Sequence, residues 1–398
     1  MLTKKTSVET SAGGLVAPGV RAERLHNDEG IPTMGCCEAT NQELLGPVSG
    51  VGRARSSGWT DSALELDRRA ALKGMLTVAG AVWVSGCSAG SSRAGTRVQL
   101  AFCGQLLCVI PYEVTRARGH FADVGFDIEL IYTRGGNAAM QALVGGAVDY
   151  AGTSFDVALQ AAAHGARIRR VLSTGRLPLF ALAVSPEQSV AIREVRDLSD
   201  RTVGVSALGN ADHALLLFLL DQAGVEAQTV RFAAIGTNLF DALRIGQIDA
   251  GMLQEPALSL TVEAGGRELV NFMEIDETRE QLGGPYEFMG VSVRAEERDR
   301  RLPEIRRLGA ALERGLADTR SLPPDEIIDA LPDALIAGGD TDQLREVIER
   351  YRLSIYPEST AIDVAAAERV LRAQEIAELL SPGAIELSAL LDTSTAGT

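Results

Sequence analysis

The sequence predicts a two-lobed α/β protein, each lobe a small sheet flanked by helices. Three observations carry this reading. A pattern occurs twice: residues 142–149 and 242–249 share Ala-Leu-x-x-Gly-x-x-Asp in register, 100 residues apart. Each copy follows a helical pattern and precedes a short apolar segment, with Gly146 and Gly246 where a helix would end, since glycine accepts the left-handed conformation of a helix C-cap. Each apolar segment then runs into a polar turn, Gly152 to Asp156 in the first copy and Gln254-Glu255-Pro256 in the second. Ligands of open α/β sheets bind beyond the carboxyl ends of the strands. Two such units therefore suggest two lobes offering strand-end loops to one cleft.

Composition narrows the chemistry. The chain has 398 residues, enough for two domains and an extension, and its 46% hydrophobic content suits a globular core. A net charge of −15 argues against a nucleic-acid partner held by phosphate contacts. The four histidines (His26, His120, His164, His213) are scattered, and no Cys/His cluster has zinc spacing, so no metal is expected. Lys4, Lys5 and Lys73 are the only lysines. Beyond Cys87 positive charge rests on arginine, which cannot form the Schiff base of pyridoxal-phosphate or lysine-aldolase chemistry. A lysine-type phosphate-binding loop is excluded there too, and no cofactor is expected.

In chain order, residues 1–66 lack a sustained period and read as disordered or as a misassigned start. Residues 67–87 have the order of a bacterial export signal: a basic stretch with Arg68-Arg69 and Lys73, an uncharged apolar run, then Val84-Ser85-Gly86-Cys87. Arg68-Arg69 followed by Leu72-Lys73 resembles the twin-arginine motif. Val-Ser-Gly-Cys resembles a lipoprotein box, with Cys87 as the lipidated residue. The apolar run is too short to span a membrane, which takes about 20 residues. Residues 88–96 read as a tether.

The first lobe is expected over 97–186 and 286–380, the second over 187–285, and 381–398 as a frayed tail. Val98–Phe102 alternates as a strand, Pro111–Gly119 reads as a helix, and Gly125–Tyr132 is the next strand. Helices are expected at 138–145 and 156–164, strands at Val171–Ser173 and Leu179–Val184. In the second lobe Thr202–Ser206 and Thr229–Phe232 read as strands around a helix at 212–223, and Leu269–Asn271 as a returning strand. Residues 286–294 read as a strand crossing back. Helices follow at 303–317, 324–331, 341–352 and 363–379, where Leu344, Val347, Ile348 and Tyr351 recur at helical spacing.

On these pieces the chain resembles the extracytoplasmic solute-binding proteins of ABC importers for sulfonates, taurine, nitrate and thiamine-pyrimidine precursors. The matching residues are Pro111-Tyr112-Glu113, Arg118-Gly119-His120-Phe121, residues 125–130, Val203-Gly204-Val205 with Gly209, the two repeats, and Glu255-Pro256. The resemblance covers about residues 97–320. It implies a periplasmic-binding-protein-like fold of type 2, joined by crossover strands and closing on its ligand by hinge motion. It also implies delivery of a small solute to permease subunits from the outer face of the cell membrane, where a lipid on Cys87 would anchor the protein.

In that family the ligand lies between the lobes, against strand-end loops and helix N-termini. The corresponding positions are Cys103, Gly104, Gln105, Asn137, Thr153, Ser154 and Asp156 in the first lobe, with Arg176 as a loop cation. In the second they are Ser206, Gly209, Asn210, Asp212, Asn238, Gln254 and Glu255. Free N–H groups at a helix start attract an anionic group, and Gly135-Gly136-Asn137 and Gly209-Asn210 both supply open backbone there. The plain alternative is that Asn137, Asn210 and Asn238 cap their helices, with Asp156 and Asp212 doing the same. Cys103 and Cys108 either pair in an oxidising compartment or stay as buried thiols.

The leading functional expectation is a non-enzymatic binding lipoprotein for a small anionic or zwitterionic organic solute. One alternative is an enzyme like the thiamine-pyrimidine synthases of the same fold, which use pyridoxal phosphate with lysine and histidine. His213 is the only histidine near an expected cleft loop, and no lysine follows Cys87. The other alternative is a sensory protein that binds a solute without transporting it.

Overall fold

The computed structural model describes residues 95–336 and 340–395. The extension, the export signal, Cys87 and most of the tether lie outside the described residues. Two five-stranded sheets organise the rest. The first holds β1 (Thr96–Cys103), β2 (Phe126–Thr133), β3 (Tyr150–Ser154) and β4 (Ile168–Ser173). The second holds β5 (Ala181–Val184), β6 (Thr202–Val205), β7 (Arg231–Ala234), β8 (Ala250–Leu253) and β9 (Arg267–Asn271). The last strand, β10 (Met289–Arg294), returns to the first sheet.

The strand orders are β2-β1-β3-β10-β4 and β7-β6-β8-β5-β9. They are the same plan. In each sheet three parallel strands lie beside an antiparallel strand donated across the lobe boundary, β10 to the first and β5 to the second. The strand at 181–184 thus belongs to the second sheet, and the chain crosses before it, not at Pro186. It pairs there because Ala181 to Val184 is fully buried and fits the gap between β8 and β9.

The repeated motif is one local structure built twice. Gly146 and Gly246 take φ of +76° and +68°, closing the helices Gly136–Val144 and Leu239–Arg244. Gly146 N–H donates to the Leu143 carbonyl and Ala147 N–H to that of Ala142; Gly246 and Gln247 donate to Leu243 and Ala242. That pair of bonds is the Schellman closure of a helix. The aspartates then tie the new strand to its neighbour. Gln99 N–H donates to the Asp149 carboxylate at 2.9 Å, and Thr202 N–H to that of Asp249 at 2.7 Å. Both strands begin one residue beyond the aspartate, later than the apolar pattern starts.

The helix expected at 111–119 spans Leu106–Ala117, with Pro111 inside it. A proline there lacks the N–H that would bond to the carbonyl four residues back. That carbonyl belongs to Leu107, and the Tyr356 hydroxyl donates to it at 2.8 Å. A tertiary contact therefore replaces the missing bond, and the helix runs on.

The C-terminal helices are Arg298–Ser321, Pro324–Asp329, Thr341–Ile355 and Val364–Ile376. They touch both lobes: Val364–Ile376 packs on the helices Phe155–Ala163 and Ala211–Gln222. The expected frayed tail is instead docked along β4, the edge strand. Leu391 bridges Arg170, Asp392 N–H donates to the Arg170 carbonyl at 2.9 Å, and Asp392 pairs with Arg298. Covering an edge in this way blocks pairing with another chain.

Candidate functional site

The sheet plan decides which residues can meet. The carboxyl ends of β1, β2 and β3 and those of β6, β7 and β8 carry the loops of the expected cleft. Cys103 ends β1 and is buried, and Gln105 is the N-cap of the helix Leu106–Ala117. Gly104, between them, hydrogen-bonds to the Thr133 carbonyl at 3.2 Å. Thr153 and Ser154 end β3, and Ser154 caps the next helix by accepting from Val157 N–H.

The three asparagines do not cap through their side chains. The helix Gly136–Val144 starts ahead of Asn137, whose side chain crosses to the other lobe and donates to Asn210 Oδ1 at 3.0 Å. Asn210 stands at its helix N-cap without a capping bond and donates to Ser206 Oγ at 3.0 Å. Asn238 is exposed at the start of Leu239–Arg244 and likewise makes no side-chain cap bond. A second bond joins the lobes: Gln160 Nε2 donates to the Gly209 carbonyl.

The acids are buried and engaged. The Asp212 carboxylate accepts from Ser206 N–H and Ser206 Oγ, holding the loop 206–212 as a closed turn, and burial raises its pKa. Glu255 accepts from Ser259 N–H and Oγ, both at 3.1 Å, and burial raises its pKa too. Gln254 beside it is partly exposed. Asp156 accepts from Tyr286 Oη at 2.9 Å and Gln374 Nε2 at 2.7 Å, and burial pushes its pKa up to about 6.

Arg176 is engaged by main-chain acceptors. Its Nε and Nη2 donate to the carbonyls of Ser354 and Leu353 at 2.8 and 2.6 Å, closing the end of the helix Thr341–Ile355. A cation suits that position, where carbonyl dipoles point outward.

Several residues outside the sequence-level list complete this region. Arg170 is fully buried; Nη2 donates to the carbonyls of Thr153 and Phe288, while Nε and Nη1 meet no acceptor among the described residues. Glu287, in the returning crossover, accepts from Ser173 Oγ at 2.9 Å, and burial pushes its pKa up to about 7. Gln374 and Gln160 relay from Asp156 to Gly209 in the second lobe, while Tyr286 donates to Asp156 from the crossover. In the sequence Arg170 stands beside a second arginine, Arg169, within 168–172, so nothing there singles it out. Phe180 and Phe288, one on each crossover, meet edge to face at 5.9 Å. The Cys103 and Cys108 thiols are free and buried.

A recess of about 380 Å³ lies elsewhere, between Ala166–Arg169 and Ala384–Leu390 under the docked tail. Its charged lining is Arg167, Arg169 and Glu386, and the strand-end region, with its buried acids and cross-lobe bonds, is the better candidate site. Among the described residues no group of acids, histidines or cysteines is placed to hold a metal, and no helix is long and apolar enough to cross a membrane.

Comparison with known structures fits this plan. A protein from Bordetella bronchiseptica matches at 25% identity and TM-score 0.67, over 76% of this chain and 96% of that one. The alkanesulfonate-binding protein SsuA of Xanthomonas axonopodis pv. citri, bound to MOPS, matches at 19% identity and TM-score 0.59, over 75% and 98%. The periplasmic nitrate-binding protein NrtA of Synechocystis matches at 10% identity and TM-score 0.63, over 76% and 87%. The last two are similar in fold. Comparison with curated proteins found no match. The model of the NMT1/THI5-like family matches residues 108–325, more than half of the sequence and both lobes, and the chain belongs to that family.

Proposed function

We propose that this chain is the solute-binding component of an ABC importer, taking a small organic anion or zwitterion between its lobes. The observation that carries the reading is the pair of bonds across the lobe boundary, Asn137 to Asn210 and Gln160 to Gly209, made from the two helices that follow strand ends of the first sheet to the strand-end loop 206–210 of the second. Loops that touch across a boundary spanned by only two crossovers can enclose a ligand and release it by hinge motion. Family membership and the sulfonate- and nitrate-binding neighbours support the same class. The helix start at Gly136 supplies N–H groups for an anion, while Glu255 favours an amine elsewhere in the ligand.

The reading includes export and a lipid on Cys87, supported by the sequence of residues 67–87. A pyridoxal-phosphate enzyme is disfavoured, because residues 74–398 contain no lysine and His213 Nδ1 is engaged by Gly209 N–H at 3.0 Å.

Native mass spectrometry of the purified protein, before and after denaturation, tests the class. A small molecule in equal stoichiometry, released unchanged, is the expected result. A covalent adduct or a chemically altered ligand would sink the binding-protein reading. For protein that arrives empty, a thermal-shift panel of alkanesulfonates, nitrate, carboxylates and aminopyrimidines follows; no stabilisation by any of them overturns the ligand class. Labelled fatty acid should enter the wild-type chain in a bacterial host and not Cys87→Ala, and equal labelling removes the anchor.

A further inference from the structure

Both bonds across the lobe boundary land on consecutive residues of one loop. Gln160 Nε2 donates to the Gly209 carbonyl, and Asn137 Nδ2 to Asn210 Oδ1 at 3.0 Å. His213, in the first turn of the helix Ala211–Gln222, pins that loop. The Gly209 N–H donates to His213 Nδ1 at 3.0 Å. A ring nitrogen that accepts carries no proton, so the imidazole is neutral and its proton lies on Nε2. Nε2 is buried and meets no acceptor among the described residues, and the ring packs edge to face on Phe232 at 4.9 Å. A proton on Nδ1 would set donor against donor at Gly209 and bury a charge. The charged groups on the surrounding elements are engaged elsewhere or exposed. Asp212, the neighbouring residue, accepts from Ser206 N–H and Oγ, and Arg231 on β7 donates to Thr202 Oγ1. On Val364–Ile376, Arg369 donates to the Pro285 carbonyl, Glu375 accepts from Gly383 N–H, and Glu368 and Arg372 are exposed. On the turn Val195–Leu198, Arg196 pairs with Glu194, and Asp197 accepts the N–H groups of Arg193 and Glu194. β8 and the turn Ala227–Thr229 carry no charge. Burial alone moves the His213 pKa, and it moves it down.

We propose that His213 is a positioning residue of the cleft: its neutral ring holds the loop 207–210 where the first lobe meets it, and a proton on Nδ1 releases that loop and favours open lobes. This role rests on the hinge motion proposed above and holds whichever solute is taken. The apposed arrangement binds the proton less tightly than an exposed histidine does. Acid therefore favours opening, starting as pH falls through the ordinary histidine value of 6.5. A single proton can lower the ratio of apposed to open lobes by at most about tenfold per pH unit. A binding protein built in this way holds its solute at neutral pH and gives it up more readily in acid.

The test uses the full chain with its four histidines labelled at the ring nitrogens. Long-range proton–nitrogen spectra show which ring nitrogens carry protons, and His213→Asn identifies the His213 signals by their loss. The same proteins are measured by solution scattering, without added solute, from about pH 8 to about pH 5. The expected result is an unprotonated Nδ1 at the alkaline end, its protonation below pH 6.5, and a radius of gyration that rises over the same window. In His213→Asn the Oδ1 atom replaces Nδ1 as an acceptor and cannot titrate, so the radius should stay constant across the window. His213→Ala, which lacks the acceptor, should be expanded throughout. A proton on wild-type Nδ1 at the alkaline end overturns the pinning of the loop. An acid expansion that persists in full in His213→Asn overturns the role and assigns the titration to Asp156 or Glu287, buried acids with pKa values of about 6 and about 7. A wild-type radius that ignores pH while Asn137→Ala expands overturns the role and leaves the hinge standing. A radius that neither pH nor any of these variants moves overturns the hinge, and the role with it.

Discussion

In the first lobe β1 and β3 meet through Ala101 and Ala151; at the same places in the second lobe β6 and β8 meet through Gly204 and Gly251. The exchange is matched on the covering layer. Ala139 and Val148 of the first repeat correspond to Leu239 and Ile248 of the second. A side chain added at Gly204 would lie 2.5 Å from Leu239 Cδ2 and 2.6 Å from Ile248 Cδ1. Volume removed from the second sheet is therefore returned by its helix and turn. Close packing requires some such exchange, because interiors leave no room for an unmatched methyl group. The two lobes keep one backbone plan and divide its volume differently.

Charge is divided differently too, and the largest expected effect tests that. Both lobes bury an aspartate in the first turn of a cleft helix, Asp156 and Asp212. Asp212 closes its own loop; Asp156 is held by side chains from a crossover and a C-terminal helix, close to Arg170. Asp156 titrates at about 6 in the fold, against 3.8 in the unfolded chain. A raised value means the native state binds the proton more tightly. The associated stability is complete below 3.8 and lost as pH rises through about 6. The loss is on the order of 3 kcal/mol. Asp156→Asn cannot titrate and keeps an acceptor for Tyr286 and Gln374. Urea unfolding between about pH 4 and pH 8 should show the variant gaining on wild type across that window. Parallel curves would mean that Asp156 is not buried as a charge. Asp212→Asn loses an anionic acceptor of two bonds and should instead cost about 1 kcal/mol at neutral pH.

The packing exchange predicts the next effect. Gly204→Ala should destabilise by about 2 kcal/mol, the usual scale of overpacking. Gly251→Ala should change stability by less than about 0.5 kcal/mol, since its added atom meets Leu243 and Ile248 at ordinary contact distances of 3.4 and 3.5 Å. Adding Leu239→Ala to Gly204→Ala recreates the small residues of the first lobe. The double variant should be more stable than the sum of the single effects predicts, by about 1 kcal/mol in a mutant cycle. Additive costs would break the volume argument.

The repeated aspartates sharpen the comparison further. Asp149 holds its neighbouring strand and also pairs with Arg301, which Glu297 and Glu304 hold as well. Asp249 has only a distant arginine, Arg201 at 4.0 Å. Asp149→Ala should cost about 2 kcal/mol and Asp249→Ala about 1. Equal shifts in denaturation midpoint would show that the strand bond, common to both, is all that matters.

How much of this could be read from the chain follows from the range of each interaction. The helix stop at Gly146 and Gly246, the strand it feeds and the aspartate after it are local, and their repetition exposed the two-lobe plan. What escaped depended on distant partners. Pro111 signals a helix start unless the Tyr356 hydroxyl is known to replace its bond. Residues 381–395 look like loose chain unless the bare edge of β4 is known to lie beside them. Arg176 looked like a free loop cation because the carbonyls it closes come some 180 residues later. At the candidate site the strand-end loops were legible from pattern alone. Asp156 was legible as a residue, but its partners Tyr286 and Gln374 were not, since they arrive from a crossover and from the C-terminal helices.

The smallest expected effect is the one closest to function. The sequence offers Asn137 as a ligand-binding position or a helix cap; in the fold its amide spans the boundary to Asn210 at 3.0 Å on an exposed surface. Solvent competes for such a bond, so Asn137→Ala should alter global stability by no more than about 0.5 kcal/mol. The same few tenths act on a hinge equilibrium, where a shift of that size changes the ratio of apposed to open lobes by about twofold. Asn137→Ala should therefore leave the unfolding midpoint almost unmoved and raise the radius of gyration in solution scattering, and Asn210→Ala should match it in direction. Asn238→Ala serves as the control, because that exposed asparagine makes no side-chain cap bond and should change neither reading. If Asn137→Ala lowers the midpoint substantially without changing the scattering, the bond belongs to the folding of the first lobe and not to the apposition of the two.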